Sequence, residues 1–142
     1  MRTTRLEQGI QRLKKAVEAR TFVVAAYLFG SQAAGTAGKL SDIDLGFYLR
    51  EGLGKRELVR RELELANLAE ECFGGENDVV IMNEAELPLN FHIISGRLLA
   101  STDERARIAF EARIMRDYLD DLPHQRLRAA VALKRVAKRG LA

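Results

Sequence analysis

Two apolar runs, set only twelve residues apart, restrict this chain more than anything else in it. "TFVVAAYLF" (21–29) is β-branched and aromatic and has no charged residue before Gly30; "DIDLGFYL" (42–49) follows as a second run of the same kind. Short runs of this composition, each closed by a break, read as strands buried in a sheet. The eleven residues between Gly30 and the second run, "SQAAGTAGKLS", are small and Gly-rich, either a loop or a short helix with a loop.

The rest of the chain surrounds these runs with helices. Leu6, Ile10, Leu13 and Val17 recur at steps of four, three and four, so residues 4–19 predict an amphipathic helix. A helix is expected over about 55–72, where Leu58, Val59, Leu65, Ala66, Ala69 and Cys72 share one broad face with Glu62 intruding. "NDVVIMN" (77–83) reads as a third short strand after the Gly74-Gly75 stop. A helix from Pro88 ends before Gly96, "RLLAS" is a strand candidate, and a helix from Asp103 to about Tyr118 keeps Ile108, Ala112, Met115 and Leu119 in step. Pro123 predicts a break, with a last basic helix over about 124–138. Helices alternating with strands give an α/β or α+β fold: a small mixed β-sheet flanked by helices, with a C-terminal helical extension. At 142 residues the expectation is one domain over 1–142, its C-terminal helices at about 103–138.

Composition excludes several classes. The longest apolar run, Phe22 to Phe29, is too short to span a bilayer, and "MRTTRLEQGI" lacks the apolar core of a signal peptide. The lone Cys72 gives neither an internal disulfide nor a metal-ligand spacing. These features predict a cytoplasmic protein. Charge is uneven: residues 122–142 carry six Lys/Arg and no acid, whereas 41–104 carry fourteen acids against six bases. Basic ends suit an acidic partner or simply a solvated helix face.

Asp42 and Asp44 hold the chemistry. On a strand, residues two apart point to one face, so their carboxylates would lie side by side near a sheet core. Like charges there raise each other's pKa unless a cation joins them, and Mg²⁺ accepts carboxylate, water and phosphate oxygens. An isolated D-x-D more often ends a loop and faces solvent; the neighbours decide. Gly30, straight after the first strand, allows a sharp turn and close approach of a ligand to the backbone. Ser31 adds a hydroxyl and N–H groups suited to an anion, or an ordinary N-cap. The segment is not a Walker phosphate loop, because Leu40 follows Gly38-Lys39 where Ser or Thr would stand, and Ala33 occupies the first Gly position.

Taken together, "GSQAAGTAGKLSDIDLGFYL" closely resembles the signature of polymerase-β-type nucleotidyltransferases. It is most similar to the minimal nucleotidyltransferase (MNT) family, antitoxins of HEPN–MNT toxin–antitoxin pairs. The Gly-Ser, Gly35, the Ser-Asp-Ile-Asp and the apolar strand carry the resemblance, and "SGRLLAST" and "YLDDLP" extend it over about Phe22 to Leu122. Ala34 departs from it, since many relatives have Arg there. The resemblance implies a nucleotidyltransferase fold and a third carboxylate on a later strand, Asp78, with Glu76 as fallback. It further implies Gly30 and Ser31 on the phosphates of ATP, and one or two Mg²⁺ held by Asp42, Asp44 and Asp78. AMP would pass to an acceptor hydroxyl, a tyrosine of a HEPN toxin. Two other functions stay open: transfer to a small molecule of the aminoglycoside type, and a non-catalytic antitoxin acting by binding. His92 and Tyr118 read as helix packing residues, His124 as exposed near a helix start, and Cys72 as core. The basic C-terminal helix either covers the sheet or docks on a partner.

Overall fold

The computed structural model describes residues 4–30 and 43–139. In chain order the described elements are α1 (Arg5–Glu18), β1 (Val23–Phe29), β2 (Ile43–Leu49), α2 (Lys55–Phe73), β3 (Asn77–Ile81), α3 (Leu87–Ile94), β4 (Arg97–Ser101) and α4 (Glu104–Arg139). The strands form one mixed sheet in the order β3-β2-β1-β4; β1 is antiparallel to β2 and β4, and β2 is parallel to β3.

β1 is central, and all seven of its residues are buried, which is why its sequence is a continuous apolar run rather than an alternation. A register irregularity between Val23 and Ala25 turns Val24 and Ala25 to the same side. One face of the sheet packs under α1 and α2 through Ile10, Leu13, Val17, Leu65, Ala69 and Cys72. The other carries Tyr27, Phe29, Tyr48 and Met82 under α3 and α4. Fully buried residues such as Leu13 and Phe47 each stabilise the fold by about 1.5–3 kcal/mol relative to exposure. Gly46 lets α3 sit directly on β2, since a Cβ there would come 2.6 Å from Ile93 Cγ2.

α1 starts as its sequence predicts, with the Thr4 hydroxyl accepting from the Glu7 N–H at 3.1 Å. Three expectations are corrected. β3 ends at Ile81 rather than 83, because Asn83 turns its side chain back onto β2. Val59 is 65% exposed and outside the packed face of α2, where Leu58, Leu65, Ala69 and Cys72 lie as expected, joined by Leu68.

The third correction concerns the C-terminal helices. α4 is one helix of 36 residues with Pro123 inside it, not two helices broken there. Proline removes the N–H that would bond the carbonyl of Leu119; Leu119 is exposed, so water can take that acceptor. Nor does the periodic set Ile108, Ala112, Met115, Leu119 meet the sheet. Phe110 and Ile114 do, fixed by stacking of Phe110 on Tyr48 at 3.6 Å and by the Tyr27 hydroxyl, which donates to Glu111 Oε2 at 2.7 Å. Among the described residues, no helix is long and apolar enough to cross a membrane.

Candidate active site

The carboxylates predicted for chemistry meet where β1 ends and β2 and β3 begin. Asp44 is the Cα partner of Phe29 on one side and of Asp78 on the other. Partners in a parallel register project to the same face, so Asp44 and Asp78 stand side by side across two strands, on the face covered by α3 and α4. Asp44 is half-buried and Asp78 exposed. Glu76, the fallback carboxylate, precedes β3 and lies outside this register.

Gly30 closes β1 at φ +75°, a left-handed conformation that L side chains rarely adopt. A Cβ at this position would fall 2.3 Å from Asp44 Oδ2, so only a glycine lets the backbone lie against that carboxylate. Ser31 and Asp42 fall outside the described residues, together with Ala34, Gly35 and Lys39. Among the described residues, no three His, Cys, Asp or Glu gather to hold a metal. The set read from the sequence takes one member, Asp42, from outside them.

α3 brings one residue to this end that spacing did not mark for it. The exposed His92 ring stands edge-on to Phe29, centroids 5.8 Å apart, and Phe29 is in register with Asp44. No spacing signals this, because α3 reaches β1 only through tertiary packing. Tyr118 stacks on Phe91 at 3.9 Å, and Cys72 lies in the core, its thiol pushed up by burial, as their sequence positions predict. His124 is exposed but lies within α4 rather than at a helix start. Burial and the bond to Glu111 push the Tyr27 hydroxyl upward; burial, then Glu51, pushes Tyr48 up to about 12. A cleft of about 220 Å³ between Asn83, Asn90, Phe110 and Arg113 lies near the Leu49 end of β2, away from the carboxylates.

A polymerase beta nucleotidyltransferase sequence model matches residues 11–105, two-thirds of the chain, and spans all of these site elements. The chain belongs to the polymerase beta nucleotidyltransferase family. Among curated proteins no sequence matches it. Solved structures share the fold of this nucleotidyltransferase. A toxin–antitoxin complex with AMP-PNP gives a TM-score of 0.67 at 21% identity, covering 87% of this chain and 98% of that one. A tri-AMPylated Shewanella oneidensis HEPN toxin in complex with an MNT antitoxin gives 0.63 at 18%, covering 91% and 99%. A MntA–HepT toxin–antitoxin structure gives 0.62 at 18%, covering 87% and 97%. The family match ends at Glu104-Arg105, so nearly all of α4 lies beyond it.

Proposed function

We propose that this nucleotidyltransferase transfers AMP from ATP to a hydroxyl of a HEPN toxin, a tyrosine, and so acts as its antitoxin in the cytoplasm. The observation that carries the reading is the register of Asp44 with Asp78, with the Gly30 backbone against the Asp44 carboxylate. Solved relatives of this fold include a complex with AMP-PNP and an AMPylated HEPN toxin with its MNT antitoxin, which supports both donor and acceptor.

Carboxylate oxygens are the hard donors that Mg²⁺ takes, and the absent side chain at Gly30 lets the backbone that follows β1 lie against the Asp44 carboxylate. Asp42, Asp44 and Asp78 would hold one or two such ions, which when bound neutralise triphosphate charge and polarise the reacting oxygens. Gly30 and Ser31 would hold the β- and γ-phosphates through close backbone approach, N–H groups and the Ser31 hydroxyl. The acceptor oxygen attacks the α-phosphorus, the bond from that phosphorus to the bridging oxygen breaks, and pyrophosphate leaves. Asp78, exposed at the rim, would take the acceptor's proton. The work is positioning and electrostatic stabilisation.

The test is incubation with Mg²⁺, α-labelled ATP and any HEPN protein encoded alongside, with Asp44→Ala and Asp42→Ala as controls. Label on the toxin that disappears in both controls supports the reading. Unlabelled toxin that is nevertheless bound and neutralised sinks it in favour of a contact-only antitoxin. Label found on a small acceptor alone sinks it in favour of a small-molecule transferase.

A further inference from the structure

The outer face of α4 carries an apolar stripe that the described chain leaves exposed except at Leu122, which is half-buried. Ile108, Ala112, Met115, Leu119, Leu122, Ala130, Leu133 and Ala137 follow steps of four and three along the whole helix, with Arg126 the only polar residue in the row. Ile108, Met115, Leu119 and Leu133 are 56, 49, 57 and 70% exposed. The inner face, Phe110 and Ile114, is the one against the sheet. From Arg126 onward every residue whose burial is described is exposed, so the last turns project without support from their own chain. An overhang of that length is marginal in water unless something packs on it. It also lies beyond the part of the chain that the family match spans.

We propose that this stripe pairs antiparallel with the same stripe of a second copy of the chain, around a two-fold axis near Leu122. The sequence is self-complementary in that register. Ile108 falls opposite Ala137 of the second copy, Ala112 opposite Leu133, and Met115 opposite Ala130, so that a large side chain meets a small one at each of these levels. The one polar member, Arg126, falls opposite Leu119 and next to Asp120, which is exposed. The projecting segment 122–139, with six basic residues and no acid, then runs beside the stretch of the second copy that carries Glu111, Asp117, Asp120 and Asp121 together with Arg107, Arg113 and Arg116, while Asp121 also pairs with Arg128 of its own chain. A two-fold axis repeats each contact, as a closed dimer requires. The faces of the two helices that carry Phe110 and Ile114 then point away from the pair, each toward its own sheet.

Sedimentation of the full chain over a concentration series tests this, with a Leu119→Asp/Leu133→Asp variant alongside. A dimer is expected that the variant weakens by about 100-fold or more while the near-ultraviolet signal of the tyrosine-bearing core persists. Asp120→Arg should weaken association and Arg126→Asp added to it should restore it. An Ala112→Cys/Leu133→Cys chain should form disulfide-linked dimers on mild oxidation, whereas Ala112→Cys alone should not; the buried Cys72 takes no part. A chain that stays monomeric at every concentration overturns the proposal. So does a dimer indifferent to the stripe variants, or cross-linking through Ala112→Cys alone, which signals a parallel pair. A monomer whose stripe variants instead lose the toxin overturns it too and assigns the face to that protein. Label transfer by the Leu119→Asp/Leu133→Asp variant reads the proposed catalytic function separately.

Discussion

The two ends of strand β2 are built on opposite principles. At the Leu49 end the strand's own groups are tied down: Asn83 accepts from the Leu49 N–H at 2.9 Å and donates to the Leu49 carbonyl at 2.8 Å, standing in for a further strand residue. The Met82 N–H donates to the Phe47 carbonyl, and Tyr48 stacks on Phe110 while its hydroxyl donates to Glu51 at 2.7 Å. At the Asp44 end two carboxylates lie in register on neighbouring strands, and the adjoining residue, Gly30, has no side chain at all. Like charges opposite one another on a sheet are destabilising. One end therefore supplies rigidity and the other spends it on holding two carboxylates in a defined geometry.

Substitutions at the two ends should separate function from stability. The largest effect is expected for Asp44→Ala: label transfer to the toxin falls by about 10³-fold or more, the loss of several kcal/mol of transition-state stabilisation. The loss of transfer should far exceed any loss of stability in urea unfolding; a variant that unfolds while retaining its specific transfer rate would erase the contrast. Gly30→Ala should do both kinds of damage. A non-Gly residue in the left-handed region costs about 1–3 kcal/mol, and the new Cβ pushes on Asp44, for which a displacement near 1 Å costs roughly 10² in rate. Urea unfolding and transfer assays on one preparation would check it.

At the far end the order reverses. Asn83→Ala strips partners from both backbone groups of the fully buried Leu49 and should destabilise by about 1–3 kcal/mol. The KM for ATP should stay put, and a raised KM would mean that the two ends are coupled. The smallest effect at neutral pH belongs to Tyr48→Phe, which loses one hydrogen bond, about 0.5–1.5 kcal/mol. Its signature is in alkali. Burial, then Glu51, raises the folded Tyr48 hydroxyl to about 12, so its contribution is complete below about pH 10 and is lost as pH rises through 12. The difference in stability between wild type and Tyr48→Phe should shrink over that window.

What the sequence determined by itself is the set of elements and the chemistry on them. The stripe of α1, the unbroken apolar β1, the D-x-D ahead of β2 and the glycine after β1 are all local patterns, and local patterns report which residues one element can bury or expose. The family was legible for the same reason, because its signature occupies one short contiguous stretch. Whatever depends on two distant elements meeting was decided by the tertiary structure. That β2 and β3 lie parallel with Asp44 against Asp78 cannot be read from either strand, since register is chosen by the packing of the whole sheet. α4 has two usable apolar faces; the sheet selected Phe110 and Ile114 because their side of the helix also brings Glu111 to Tyr27, and left Ile108, Met115 and Leu119 outside. Pro123 carries a local rule against helix, but the anchored turns before it and the solvent around the freed Leu119 carbonyl outweigh that rule.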